Sequence, residues 1–167
     1  HIKSKLLARF EIKDIGDVQW FLNINIIRDR TEGKIWLNQR TYVDKIVERY
    51  HLQHAPKAPT PMIKDQKLEP FDGQATPGQV QEYQQKIGSV LYAAITTRPD
   101  IAFATSKLSQ FLLNPSPLHM SQVNRLICYL RDTKDLSIVY TTDHPHEFSK
   151  CRRTFEISSD AAFADDT

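Results

Sequence analysis

The chain has 167 residues, of which 40% are hydrophobic and 25% are charged, an ordinary composition for one or two globular domains. Its formal net charge of +2 is too small to indicate a nucleic-acid partner by itself, and its two cysteines, Cys128 and Cys151, are too few for a disulfide framework. No run of about eighteen apolar residues occurs, and residues 1–5 lack the hydrophobic stretch of a secretory signal, so we expect no membrane partner and an intracellular location.

The first third of the chain predicts a helix end, a β-hairpin and a second helix. Residues 3–10 place basic residues on one side and apolar residues on the other, as at the end of an amphipathic helix. Apolar residues then alternate over 18–26, the period of a strand with one buried face. Gly33 marks a turn before a second strand over 34–37, and helical spacing of apolar residues predicts a helix over 40–52.

The middle of the chain predicts an irregular segment followed by helices. Five of the nine prolines fall between Pro56 and Pro77, which favours a proline-rich linker over 54–77. Three helical patterns follow, separated by prolines, and their short connections favour a small antiparallel bundle. These patterns cover Gly78 to Thr97, Ile101 to Leu113 and Leu118 to Arg131.

The last part of the chain predicts two short strands, Leu136 to Thr141 and Thr154 to Ser159, with a polar connection over 144–153. Helices and strands are therefore segregated along the chain, and the fold class that we predict is α+β. Cys128 lies beside an apolar helical stripe, where we expect a small core residue.

Three stretches in order resemble the reverse transcriptase and RNase H region of copia-type retrotransposon polyproteins, particularly their fungal branch. The first is the block over 10–26, which begins Phe-Glu-Ile-Lys-Asp-Ile-Gly-Asp-Val and ends Asn-Ile-Asn-Ile. The second is Tyr83 to Tyr92, with Thr-Arg-Pro-Asp-Ile at 97–101 and Leu-Ser-Gln-Phe at 108–111. The third is Ser-Asp-Ala-Ala-Phe-Ala-Asp at 159–165.

The resemblance implies a domain order for the chain. Residues 1–53 would be the C-terminal part of the polymerase palm, with a primer-grip-like hairpin and the helix after it. The linker over 54–77 would lead to a thumb of three helices over 78–133. A connection over 134–153 would then lead to a truncated RNase H domain, of which 154–167 supply the first strand.

The resemblance also implies that most of the catalytic groups lie outside this chain. In the family the polymerase carboxylates sit on a Tyr-Xaa-Asp-Asp hairpin before the block that starts at Phe10, and no Asp-Asp pair occurs in the first fifty residues here. Asp160 would be the first RNase H carboxylate, catalytic and Mg²⁺-binding only with partners that the chain lacks. We expect Mg²⁺ in the parent enzyme and no cofactor for the chain alone.

Two groups of residues are implied to bind nucleic acid. The primer-grip-like hairpin contributes Trp20, Phe21, Leu22 and Asn23, which would orient a primer end; Asn23 stands where the family usually has glycine, a change that is also compatible with a decayed copy.

The second group, Gln84, Gly88 and Tyr92, recurs every four residues and must share one helix face. In retroviral thumbs a similar set faces the duplex minor groove. The alternative is close helix packing at Gly88 with Tyr92 in the core.

Other polar clusters support weaker interpretations. Arg152 and Arg153, next to Lys150, would contact phosphate or form a solvated loop. The pairs His51 with His54 and His144 with His146 lack further ligands at zinc-site spacing.

The leading hypothesis is a piece of a reverse transcriptase and RNase H polyprotein that binds template–primer, as RNA–DNA or DNA duplex, and contacts the rest of the polyprotein. We expect no small-molecule substrate for the chain alone, and a location in a cytoplasmic particle or the nucleus. The two alternatives are a degenerate remnant that binds nucleic acid without catalysis, and an inert scaffold or relic with exposed strand edges.

Overall fold

The computed structural model describes residues 2–64 and 66–141, and its described part is an α+β fold with five helices and a four-stranded antiparallel sheet. The helices are α1 Ile2–Arg9, α2 Arg40–Arg49, α3 Pro77–Thr96, α4 Ala102–Ser109 and α5 Pro117–Asp132, with a 3₁₀ turn at Pro99–Ile101. The strands are β1 Trp20–Phe21, β2 Ile24–Asp29, β3 Lys34–Asn38 and β4 Ile138–Thr141. The predicted strand over 154–159 and the predicted polar connection lie outside the described residues.

Helices α2 to α5 bury one another's apolar faces and form the core. The buried cluster is Val43, Ile46, Val47, Tyr83, Ile87, Val90, Ala93, Ala94, Ile101, Ala104, Leu108, Val123, Leu126, Ile127 and Leu130. The three helices predicted after the linker are all present, but α2 joins them, so the bundle is larger than the predicted one. Tyr83 is fully buried and its hydroxyl donates to the Leu108 carbonyl at 2.7 Å, which satisfies the polar end of a core aromatic ring.

Both long helices start with the same local device. Thr76 caps α3 and Ser116 caps α5, each by a side-chain oxygen that accepts from the backbone N–H three residues on, and each is followed by proline. The side chains of Gln79 and His119 return a bond to the backbone N–H of the capping residue. The bond from the Ser116 N–H to the His119 side chain explains why a histidine is completely buried at the start of α5.

The single strand predicted over 18–26 is wrong, because the chain reverses direction in its middle. Leu22 and Asn23 have φ of 48° and 61°, and they connect β1 to β2 so that Phe21 pairs with Ile24. Two central residues with positive φ are typical of a type I′ turn, the two-residue turn that fits the twist of a hairpin. The apolar alternation runs through the turn unbroken, which hid it from the sequence pattern.

The sheet order is β1-β2-β3-β4, with β4 next to β3. The second predicted strand is confirmed as β3 and extends one residue further, to Asn38. The predicted strand at 136–141 is confirmed as β4 from Ile138, and it completes the sheet of the N-terminal hairpin, with Leu37 opposite Ile138. The sequence predicts no partner for this strand, and the structure pairs it with β3.

The segment over 54–76 has no helix or strand among its described residues, as its prolines predict, yet side chains of α5 and of the α4–α5 loop hold it in place. The Arg131 guanidinium donates to the carbonyls of Leu52, Gln53, Ala55 and Pro56 at 2.6–3.3 Å. Asn114 binds the backbone of Phe71, Gly73 and Ala75. The proline-rich segment is therefore part of the folded unit that the structure describes.

Candidate nucleic-acid interface

The predicted row Gln84, Gly88 and Tyr92 lies along one side of α3 and faces away from the core. Eight residues of helix separate its ends, a length of about 12 Å. Gln84 and Gly88 are exposed and Tyr92 is half-buried. A Cβ placed on Gly88 would have nothing within 4 Å. Close packing of another described helix of this chain does not explain this glycine, and the surface above it is open.

This face of α3 carries no charged side chain. The two charged residues of the helix are Glu82 and Lys86, which pair with each other at 2.5 Å. Lys86 is buried, with its ammonium group 3.5 Å from the Met120 sulfur and 5.3 Å from the centre of the Tyr50 ring. The open face therefore presents amides near its start and the exposed apolar side chains of Leu91 and Ile95 near its end.

The Gln84 side chain is anchored by one hydrogen bond. Its Nε2 donates to the Leu112 carbonyl at 3.1 Å, in the loop between α4 and α5. The opposite end of the amide, the Oε1 acceptor, is thereby turned away from Leu112. An amide held in this way loses less side-chain entropy when it contacts a ligand than a free glutamine would.

The hairpin tip presents three large apolar side chains to the surface. Trp20, Phe21 and Leu22 are 53%, 59% and 65% exposed, a level that is unusual for adjacent large apolar residues. The left-handed conformation of Leu22 costs roughly 1–2 kcal/mol because its Cβ crowds the following carbonyl oxygen. Asn23 adopts the same left-handed conformation at lower cost, because the short polar side chain of asparagine can form local hydrogen bonds in that region.

A hydrogen bond joins the two predicted groups. The Tyr92 hydroxyl donates to the backbone carbonyl of Leu22 at 2.5 Å. The Tyr92 ring packs edge-on against Tyr42 of α2, with ring centres 5.1 Å apart. The Tyr42 hydroxyl in turn donates to the Ser89 carbonyl at 3.2 Å. The hairpin tip, α2 and α3 thus meet around one tyrosine pair.

Tyr42 and Ser89 belong to this junction, although no motif in the sequence marks either residue for it. Burial raises the pKa of Tyr42, so its hydroxyl stays protonated and able to donate across the physiological range. Tyr42 lies on an ordinary apolar helical stripe, and no local pattern marks it as a partner of a residue fifty positions away. A tyrosine in place of an aliphatic residue at that stripe is the only signal that the sequence offers.

The Thr-Arg-Pro-Asp stretch has a structural role in the described fold. Arg98 is buried and makes a bidentate bond with Asp100, while its other donors reach the carbonyl and hydroxyl of Thr133. Tyr129 donates to Asp100 at 2.9 Å. Burial disfavours the Asp100 carboxylate, but Arg98 outweighs it and holds the pKa of Asp100 below its ordinary value. The cluster joins the end of α3 to the end of α5.

The remaining predicted residues divide into described and undescribed ones. Arg152, Arg153 and Asp160 lie outside the described residues. Across 2–64 and 66–141, no three or more His, Cys, Asp or Glu side chains come together in a way that could hold a metal ion. Over the same residues no helix is both long and apolar enough to cross a membrane. Cys128 is buried in α5 as predicted, and burial raises the pKa of its thiol.

Comparisons with known proteins find several relatives of this chain. No protein-family model matches the sequence, and no solved structure gives a significant match. The chain is 36% identical over 140 residues to the retrovirus-related Pol polyprotein from transposon TNT 1-94 of Nicotiana tabacum, a match that covers 79% of this chain and 10% of the relative. It is 32% identical over 169 residues to the Pol polyprotein from transposon RE2 of Arabidopsis thaliana, a match that covers 100% of this chain and 11% of the relative.

A third relative is the putative transposon Ty5-1 protein of Saccharomyces cerevisiae, 30% identical over 143 residues, with 83% of this chain and 44% of that protein covered. The chain thus spans less than half of each of these three relatives. Over most of its length, the chain is homologous to the Pol polyproteins of copia-type retrotransposons, and it belongs to that family.

Proposed function

We propose that this chain is the duplex-binding part of a reverse transcriptase, running from the end of the palm through the thumb to the start of RNase H. In this proposal it holds template–primer, while the polymerase carboxylates and their Mg²⁺ ions belong to other parts of the parent polyprotein. The observation that carries the proposal is the open, uncharged face of α3, with Gly88 at its centre and the exposed hairpin tip at its end.

The chemistry of this face suits the minor groove of a nucleic-acid duplex. The groove floor offers hydrogen-bond acceptors and 2′-hydroxyl groups and no formal charge, so amides and a bare backbone fit it better than charged side chains do. Gly88 permits closer approach of a sugar–phosphate edge than any other residue would. Contacts of this kind read duplex shape, and we therefore expect binding without sequence preference.

The experiment is a titration of a labelled RNA–DNA hybrid with the full chain, at salt concentrations from about 50 to 200 mM. Gly88→Leu should weaken binding by about tenfold while leaving the slope of log affinity against log salt unchanged, because the substitution removes no Lys or Arg that neutralises a phosphate. Arg152→Ala with Arg153→Ala should instead flatten that slope by up to about 2.

Gly78→Leu is the matched control for this titration. Gly78 lies in the same helix, and a Cβ placed on it would also have nothing within 4 Å, but it is ten residues, about 15 Å, from Gly88. The Gly78→Leu variant should bind like the unaltered chain. Equal affinities for the two leucine variants, or no binding at the lowest salt, would contradict the proposal and favour an inert scaffold or relic.

A further inference from the structure

The bond between Tyr92 and Leu22 connects residues 70 positions apart in the chain. Its acceptor is the carbonyl between the two central residues of the hairpin turn. That peptide group points out of a type I′ turn and takes no part in the ladder between β1 and β2. Within the described fold, the Tyr92 hydroxyl is the donor that satisfies this carbonyl.

The acceptor residue is the one that most needs support. Leu22 is a γ-branched residue held at a φ of 48°, a conformation that persists when its surroundings over-determine it. The Leu22 side chain is largely exposed and gives the turn little packing of its own. The bond from Tyr92 thus acts on the backbone of the strained residue itself.

The donor is fixed independently of the hairpin. The Tyr92 ring meets Tyr42 edge-on, at an interplanar angle of 80°, and Tyr42 is fastened to the α3 backbone through the Ser89 carbonyl. Helices α2 and α3 both belong to the buried core. The position of the Tyr92 hydroxyl is therefore set by the core, and the turn follows it.

We propose that Tyr92 is a positioning residue, which locks the Leu22–Asn23 turn onto α3 so that the hairpin tip and the Gln84–Gly88 face present one continuous surface to a nucleic-acid duplex. The inference rests on the proposed function and deepens it. Tyr92 acts through the turn, by its hydroxyl, and the duplex contacts are made by the hairpin tip and by the face around Gly88.

The test compares Tyr92→Phe with Tyr83→Phe in the full chain. Each variant keeps its ring and loses one hydroxyl of α3 that is bonded to a backbone carbonyl, but Tyr83 bonds Leu108 in the core and Tyr92 bonds the hairpin turn. The first readout is the heteronuclear relaxation of the Trp20 indole N–H and of the Leu22 and Asn23 amides in the free protein. The second is affinity for the RNA–DNA hybrid across a salt series.

Tyr92→Phe should increase fast motion at Trp20, Leu22 and Asn23 and weaken duplex binding by roughly two- to tenfold, the range for loss of one hydrogen bond, with an unchanged salt slope. Tyr83→Phe should change neither readout. Unchanged hairpin motion in Tyr92→Phe would overturn the positioning role, including when its affinity falls, since that pattern means direct contact by the hydroxyl.

The two readouts also separate this inference from the proposed function. If the unaltered chain binds no duplex while Tyr92→Phe still loosens the turn, the proposed function is wrong. The restraint of the turn by Tyr92 is then confirmed, but its role in duplex binding is not. Equal loosening of the turn by both tyrosine variants would overturn the inference whatever the affinity, because it would assign the effect to general support of α3.

Discussion

At the scale of single residues, Gly88 is the clearest departure from what stability alone would choose. A glycine inside a helix destabilises it by about 1 kcal/mol relative to alanine. Because the space at Gly88 is open, no close packing within the described fold offsets this loss. We predict that Gly88→Ala stabilises the chain by about 1 kcal/mol and raises the unfolding midpoint by about 2–4 °C, measured by circular dichroism.

Gly16→Ala is the control for the Gly88 prediction. A Cβ on Gly16 would also meet nothing within 4 Å, but its φ of +85° is one that alanine adopts only under strain. Gly16→Ala should therefore give no stabilisation. A midpoint that falls in Gly88→Ala would mean that a side chain at this position is excluded by the fold, and the open face would lose its functional explanation.

The hairpin turn gives a second prediction at this scale. Both central residues have positive φ, and glycine adopts that conformation more readily than asparagine, so Asn23→Gly should stabilise the hairpin and Asn23→Val should destabilise it. Hydrogen exchange at the Ile26 amide, which donates to the Gln19 carbonyl at 2.8 Å, reports hairpin opening directly. Slower exchange in the valine variant would contradict the assigned turn.

At the residue scale, the face of α3 could be predicted from the sequence, but the hairpin turn and its bond to Tyr92 could not. The shared face of Gln84, Gly88 and Tyr92 follows from helical spacing, and the structure has it. The turn at Leu22 and Asn23 was missed because the pair resembles no common turn dipeptide and the alternation of apolar residues continues across it. The role of Tyr92 as a hydrogen-bond donor to the turn depends on a partner 70 residues away, which no local pattern encodes.

At the scale of elements, the start of α5 couples stability to pH. His119 is buried, stacks on the Phe111 ring at 3.8 Å and accepts from the Ser116 N–H through Nδ1, and burial lowers its pKa. The unfolded chain then binds a proton more readily than the folded one. The contribution to stability is complete above about pH 6.5 and is lost as the pH falls toward the lower folded-state pKa.

We predict that His119→Gln weakens this dependence. Glutamine can make the same reciprocal capping bond, as Gln79 does at the start of α3, but it does not titrate. Urea unfolding between about pH 8 and pH 5 should show a smaller loss of stability in His119→Gln than in the unaltered chain. Parallel curves for the two proteins would show that His119 is not the group responsible.

The proline-rich segment before α3 could be predicted only in part from the sequence. The prolines between 56 and 77 predict an irregular segment, and none of the described residues before α3 in that segment is in a helix or strand. The sequence does not reveal that this segment is held by Arg131 and Asn114, because those side chains bind backbone atoms 39 to 79 residues away. Composition predicts that the backbone of this segment is irregular. The path of that backbone is set by tertiary contacts with Arg131 and Asn114, which composition does not reveal.

At the scale of the whole molecule, the α+β class and the copia-type relationship inferred from the sequence are confirmed. The strands β3 and β4 were both predicted, but not their pairing, since about a hundred residues separate them and loop closure leaves no local mark. The division into palm, thumb and RNase H, and the affinity with a fungal branch, stay predictions.

The measurement that addresses the central claim most directly is an amide NMR titration of the full, isotopically labelled chain with a short RNA–DNA hybrid. If the open face and the hairpin tip form the duplex-binding surface, resonances of Gln84, Gly88, Trp20 and Phe21 should shift first and saturate together, while those at Gly78 stay in place. Shifts confined to other residues, or none at low salt, would contradict the proposal that this chain holds template–primer through α3.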